Sequence, residues 1–212
     1  MRIDDVSDVA SHDQISDVVN RIGSQSGTAF VDGGIHPKFG TRNFTAPLLN
    51  GQYIEVVCPL NHPATDATPF GKAVKKKSEE GGGWMSWIIA TDEISKIESS
   101  FNRRAINSER RKPDGSILRW KQIGVLEILE DFSQPFFVEW MSKDHPGRDG
   151  IANAALIAIV FEANRESTLR TVDHHLNKIT ESFILKFIES ESNSNCIKEV
   201  KFMVNGQEVT IS

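Results

Sequence analysis

Apolar and polar positions along the chain change period at intervals, and the changes mark out elements. The opening segment, Met1 to Ala10, sets Ile3, Val6 and Val9 among acids and reads as a strand. Ser11 and Gln14 have the spacing of a capping box. Ile15, Val18, Val19 and Ile22 then recur at the period of a helix, which Gly23 and Gly27 stop. A short strand, Thr28 to Val31, ends at Asp32-Gly33-Gly34. Two further β-type runs follow, Phe44 to Leu49 and Gln52 to Cys58. They are separated by Asn50-Gly51, a dipeptide that suits a two-residue hairpin because both positions tolerate positive φ. The order is β-α-β-β-β.

The same order returns twice. Thr65 to Glu80 is a linker and an amphipathic helix whose basic face carries Lys72, Lys75, Lys76 and Lys77, and Gly81-Gly82-Gly83 breaks it. Trp84 to Ala90 reads as a strand. Asp92 to Ala105 reads as a helix with Ile94, Ile97 and Phe101 on one face. Strands are expected at Ile106 to Arg110, at Ser116 to Val125 after the turn Pro113-Asp114-Gly115, and at Gln134 to Met141. The third pass has a strand at Ala154 to Glu162 and a helix at Ser167 to Thr180. Strands follow at Phe183 to Ile188, Cys196 to Val204 and Glu208 to Ile211, the last two joined at Asn205-Gly206. The chain therefore reads as an α+β protein built from tandem βαβββ units. The first two units span 1–63 and 82–147, and a third βαβββ-like unit occupies 151–212.

Composition narrows the class without naming a chemistry. At 212 residues, with 39% hydrophobic and 25% charged positions, the chain can bury a core without disulfides or metal staples. The net charge of −5 argues against a nucleic-acid partner. Cys58 and Cys196 are the only cysteines and neither sits in a C-x-x-C, so a reducing, cytoplasmic setting is expected. The N-terminal residues show no apolar secretory core. The longest apolar run, Ala154 to Phe161, is too short to span a bilayer, so no membrane partner is expected.

Two glutamates stand out because they sit inside apolar strands. Glu55 lies in Tyr53-Ile54-Glu55-Val56-Val57 and is followed by His62-Pro63. Glu139 lies in Phe137-Val138-Glu139-Trp140-Met141 and is followed by His145-Pro146. A buried carboxylate needs a partner or a metal. Strict alternation sets Glu55 on one face with Tyr53 and Val57, and Glu139 on one face with Phe137 and Met141. Both are therefore expected to point with apolar neighbours into a lined cavity.

A tandem βαβββ arrangement with a glutamate near each unit's end resembles the vicinal oxygen chelate superfamily, and more narrowly its glyoxalase-like domain. The likeness covers roughly residues 1–150. It is carried by Ile3-Asp4-Asp5-Val6, His36-Pro37-Lys38-Phe39-Gly40-Thr41-Arg42-Asn43, Tyr53-Ile54-Glu55-Val56, Pro113-Asp114-Gly115-Ser116-Ile117-Leu118-Arg119-Trp120 and Pro135-Phe136-Phe137-Val138-Glu139-Trp140, with His145-Pro146 beyond. The resemblance implies two units whose sheets curl around one cavity. In metal-using relatives each unit gives one ligand from its first strand, often His, and one Glu from its last. The metal then stabilises an enolate or alkoxide. Carried onto this chain, the glutamates are Glu55 and Glu139, and the first-strand positions are Asp5 and, with a slip of register, Ser86. A hydroxyl is a poor ligand for a first-row metal. A set of Asp5, Glu55 and Glu139 is all oxygen and suits Mg²⁺, Mn²⁺ or Ca²⁺ better than Zn²⁺. Alternatively the metal is lost and the cavity only binds.

Within that frame His36 is expected at the cavity as an acid/base and Arg119 as a substrate anchor or as the counter-ion of a cavity glutamate. Trp84, Trp87, Trp120 and Trp140 are expected as cavity wall or core. His12, His174 and His175 read as surface residues. Gly81-Gly82-Gly83 lacks the helix and lysine of a phosphate loop, and Cys58 reads as packing. Two functions stay open: a metal-assisted lyase, isomerase or dioxygenase-type enzyme on an oxygen-rich metabolite, and a non-catalytic binder of a small molecule. In either case the third unit offers a route to a homodimer.

Overall fold

The structure is a computed structural model and describes residues 1–172, 183–189 and 195–212. Its centre is a closed eight-stranded barrel made by two units. In the first, β1 (Arg2–Val9) leads through α1 (Ile15–Ser26) to β2 (Val31–His36), β3 (Thr41–Pro47) and β4 (Tyr53–Pro59). In the second, β5 (Gly83–Ala90) leads through α4 (Ile94–Phe101) to β6 (Ile106–Arg111), β7 (Ile117–Ile123) and β8 (Phe136–Trp140). Two helices, α2 (Pro63–Ala67) and α3 (Pro69–Glu79), join the units, and α5 (Val125–Glu130) precedes β8.

The units pair alike. β1 runs parallel to β4 and β5 parallel to β8, while β2-β3-β4 and β6-β7-β8 are antiparallel meanders. An antiparallel seam between β1 and β5 sets Ser7 opposite Ser86. At the other side the barrel closes through one pair, Ile35 with Arg111, between β2 and β6. The circular order is β1-β4-β3-β2-β6-β7-β8-β5.

The third unit repeats the order of elements but not the pairing. β9 (Ala154–Glu162), α6 (Arg165–Leu169), β10 (Ile184–Ile188), β11 (Cys196–Val204) and β12 (Gln207–Ile211) form an open sheet ordered β10-β9-β11-β12. Here the first strand runs parallel to the second strand, not to the last. From residue 173 the expected Ser167 to Thr180 helix lies outside the described residues, as do His174 and His175.

Two cores result. Between barrel and sheet, Trp84, Trp87 and Phe137 pack with Phe161 and Phe202. Trp84 Nε1 donates to the Ile211 carbonyl at 3.0 Å and Trp87 Nε1 to the Ser133 carbonyl at 2.8 Å, so both indole N–H groups are satisfied. Inside the barrel lie Phe39, Val57, Phe70, Met85, Ile88 and Leu118. Burial on both faces explains why β5 reads as an almost unbroken apolar run. No helix of the described residues is long and apolar enough to cross a membrane.

Several boundaries move from the expected ones for local reasons. The strand expected at Thr28 to Val31 begins at Val31 and runs through Gly33-Gly34 to His36. The glycines do not end it, because a bulge between Asp32 and Gly34 takes them into the ladder. Gly34 has φ +96°, and a Cβ there would lie 2.1 Å from the Arg111 carbonyl oxygen, so glycine permits the seam contact. The strand expected to reach Val125 stops at Ile123, because left-handed Gly124 turns the chain into α5. Asn50-Gly51 and Asn205-Gly206 do turn hairpins, all four at positive φ.

Candidate functional site

Alternation along the barrel strands aims one set of side chains inward. β1 contributes Asp5 and Ser7, β4 Tyr53 and Glu55, β3 Asn43, β2 His36, β6 Arg110, β7 Trp120 and Gln122, and β8 Phe136, Val138 and Trp140. Most of these line an internal cavity of about 40 Å³ together with Phe39, Phe70 and Ile88. That is room for a few atoms, well below the several hundred Å³ of a drug-sized pocket.

The polar groups divide by wall. On the β1–β4–β3 wall, Ser7 Oγ lies 2.7 Å from Glu55 Oε2 and 3.3 Å from Asp5 Oδ2. Asn43 Nδ2 donates to Glu55 Oε1 at 2.5 Å. Asp5 and Glu55 are both buried. Burial first, then the neighbouring Asp4 and Glu55 charges, raise the Asp5 pKa well above the usual carboxylate range. Asp5 Oδ1 and Asn43 Oδ1 have no protein partner.

The opposite wall carries donors. Arg110 is 2% exposed. Trp120 Nε1 donates to Gln122 Oε1 at 2.6 Å, which leaves Gln122 Nε2 without a partner. His36 sits between these walls with Nδ1 2.9 Å from Thr41 Oγ1. Burial, helped by the Arg110 charge, pushes its pKa down to about 3, so the ring is neutral.

The expected residues separate accordingly. Asp5, Glu55 and His36 come together in the cavity. Glu139 does not join them. Phe136, Val138 and Trp140 take the inward positions of β8, so alternation turns Glu139 outward. There its side chain, 20% exposed, meets Lys121 Nζ at 3.3 Å and the backbone N–H of Ile94 at the start of α4 at 3.5 Å. Arg119 also faces out, with its side chain 59% exposed and Nε 3.4 Å from Glu109 Oε2. Ser86 is buried opposite Ser7, its hydroxyl unpartnered. Of the tryptophans, Trp120 and Trp140 are cavity wall, and Trp84 and Trp87 belong to the outer core.

The three-carboxylate metal set therefore does not assemble. Among the described residues no group of three or more His, Cys, Asp or Glu is placed to hold an ion. The two carboxylates that do meet are already bonded to Ser7 and Asn43, and they share their cavity with a guanidinium that repels a dication. These residues do not fit the metal that the resemblance implies, and no step below runs through one.

Arg110 is the site residue that pattern reading overlooks. Its signal is Arg110-Arg111 within a strand, because alternation must send one of two consecutive arginines inward. Asp4 is a second. It accepts from Trp140 Nε1 at 2.7 Å and from Arg2 Nη1 at 2.5 Å, and lies 3.2 Å from His145 Nε2. This cluster buttresses Trp140 at the cavity edge. Gly147 N–H donates to His145 Nδ1, which leaves Nε2 as the proton-bearing nitrogen facing Asp4.

The model of the glyoxalase-like domain matches residues 9–176 of this chain. No match was found among the curated proteins. Among solved structures, a hypothetical protein from Staphylococcus aureus superposes with a TM-score of 0.59 at 16% identity, covering 99% of this chain and 84% of that one. That likeness is one of fold. Methylmalonyl-CoA epimerase from Streptomyces coelicolor gives 0.45 at 13% identity over 67% of this chain and 99% of its own. The Mycobacterium tuberculosis epimerase gives 0.42 at 11% identity over 66% of this chain and 86% of its own.

Proposed function

This chain belongs to the glyoxalase-like domain family, and from that footing we propose that its barrel is a small-molecule site. Its chemistry is metal-independent proton transfer at a carbon beside a carbonyl or carboxyl oxygen. The observation that carries this reading is the Asp5–Ser7–Glu55 cluster, two buried carboxyl groups sharing one hydroxyl inside the cavity. Pairs of carboxyls in unlike environments divide into acid and base. Glu55, the acceptor of two hydrogen bonds, is the base that takes the proton from carbon. Asp5, whose hold on its proton burial strengthens, donates to the substrate oxygen that gains charge. Neutral His36 is a polar wall group in this scheme. The reaction class is an isomerisation or an elimination.

The test is deuterium incorporation from D₂O into a panel of small ketones, esters and carboxylic acids bearing α-hydrogens, followed by NMR. Exchange is expected with wild-type protein, with Glu55→Gln slower by about 10² or more and folded by circular dichroism. No exchange of any compound, or an unchanged rate in the variant, refutes it. The aromatic wall of the cavity, Phe39, Phe70, Trp120 and Trp140, favours a second reading, a binder that sequesters its ligand. Retained ligand binding without exchange selects that one.

A further inference from the structure

We propose that Arg110 is the carboxylate-binding residue of the cavity and that the ligand is a small hydroxy or oxo carboxylic acid. This rests on the reading of the barrel as a small-molecule site but not on the proton-transfer step.

Arg110 has no carboxylate within ion-pair distance among the described residues, although Asp5 and Glu55 line the same cavity. A buried charge with no counter-ion is among the most costly arrangements in a protein interior. The nitrogens without a partner are Nε and Nη2. Together they form one edge of the guanidinium, the edge that grips a carboxylate through two parallel N–H···O bonds.

The fold also gives up a side chain to seat this group. A Cβ on Gly33 would lie 2.2 Å from Asn43 Oδ1 and 2.6 Å from Arg110 Nη1. Gly33 is the floor on which both polar ends rest.

The remaining unpaired atoms define the rest of the ligand. Further along the β6–β7 ladder from Arg110, Gln122 Nε2 is a free donor into the same cavity. Asp5 Oδ1, on the strand across the barrel from β6, and Asn43 Oδ1, near Arg110 Nη1 over Gly33, are partnerless oxygens. A carboxylate on the Arg110 edge with a hydroxyl or carbonyl oxygen next to it meets both sets, since a carboxyl side chain such as Asp5 can donate as well as accept. The volume limits the enclosed part to a few heavy atoms.

The experiment is calorimetric titration of the full chain with lactate, pyruvate and propionate, and with lactamide and propionamide as uncharged counterparts. The acids are expected to bind at least tenfold tighter than the amides, and lactate and pyruvate tighter than propionate. Arg110→Gln is expected to lose the acids by tenfold or more, while Glu139→Gln, outside the cavity, keeps them. Arg110→Lys, with charge but no fork, should fall between. Amides binding as tightly as acids, or Arg110→Gln binding acids like wild type, overturns the assignment and leaves the small-molecule site standing. No binding of any of the five compounds overturns both. Should Arg110→Gln not fold, the acid-against-amide comparison on wild-type protein still decides.

Discussion

Asp8 allows a quantitative test of how the barrel is built. It lies on β1 one position beyond Ser7, on the outer face of the strand, where Val6 and Ala10 belong to the outer core. Both its carboxylate oxygens are buried without a partner. Burial pushes its pKa up from 3.8 to about 7, against the pull of Arg21 on α1 and Lys77 on α3. A displacement of about three pH units at about 1.4 kcal/mol each is on the order of 4 kcal/mol. An acid whose pKa is higher in the folded state holds its proton better there. Its contribution is therefore complete below the unfolded pKa near 3.8 and is lost as pH rises to about 7. Asp8→Asn removes the ionisation and keeps the shape. Urea unfolding of both proteins across this range should show stabilities within about 1 kcal/mol near pH 4.5. By pH 8 the variant should be more stable by about 3–4 kcal/mol. A gap that does not change with pH, or a variant weaker than wild type at pH 8, would show that Asp8 is paired or hydrated and that the outer face of β1 is not closed.

Two further substitutions separate the cavity from its surroundings. Gly33→Ala places a methyl group against Asn43 and Arg110 and should cost about 1–3 kcal/mol by overpacking. It should also weaken binding of small acids at least tenfold, read by thermal unfolding and calorimetry. Glu139→Gln breaks a partly exposed ion pair with Lys121 and should change stability by less than about 1 kcal/mol. Ligand affinity in that variant should stay at the wild-type value, and a tenfold loss would return Glu139 to the site.

The units were readable because their punctuation is chemical. Asn50-Gly51, Pro113-Asp114-Gly115 and Asn205-Gly206 turn where left-handed or proline-fixed residues must turn, and the closed barrel follows from two βαβββ units with like pairing. Strand alternation tells which residues share a face, but not which face turns inward. That decision rests on the opposing sheet. Glu55 and Glu139 look equivalent as sequence, yet the open sheet of the third unit claims the Phe137 face of β8 and leaves Glu139 outside the cavity. The same ambiguity draws attention to Arg119 and hides Arg110. The third unit shows that element order does not fix partners, because β9 pairs with β10 while β1 and β5 each pair with the last strand of their unit.

The most direct measurement of the central claim is a crystal structure of the protein soaked with lactate. The account predicts one ligand inside the barrel, its carboxylate on Arg110 Nε and Nη2 and its hydroxyl against Asp5 and Asn43. Lactate found only on the protein surface, with Arg110 paired to Asp5 or Glu55 inside the barrel, would contradict it.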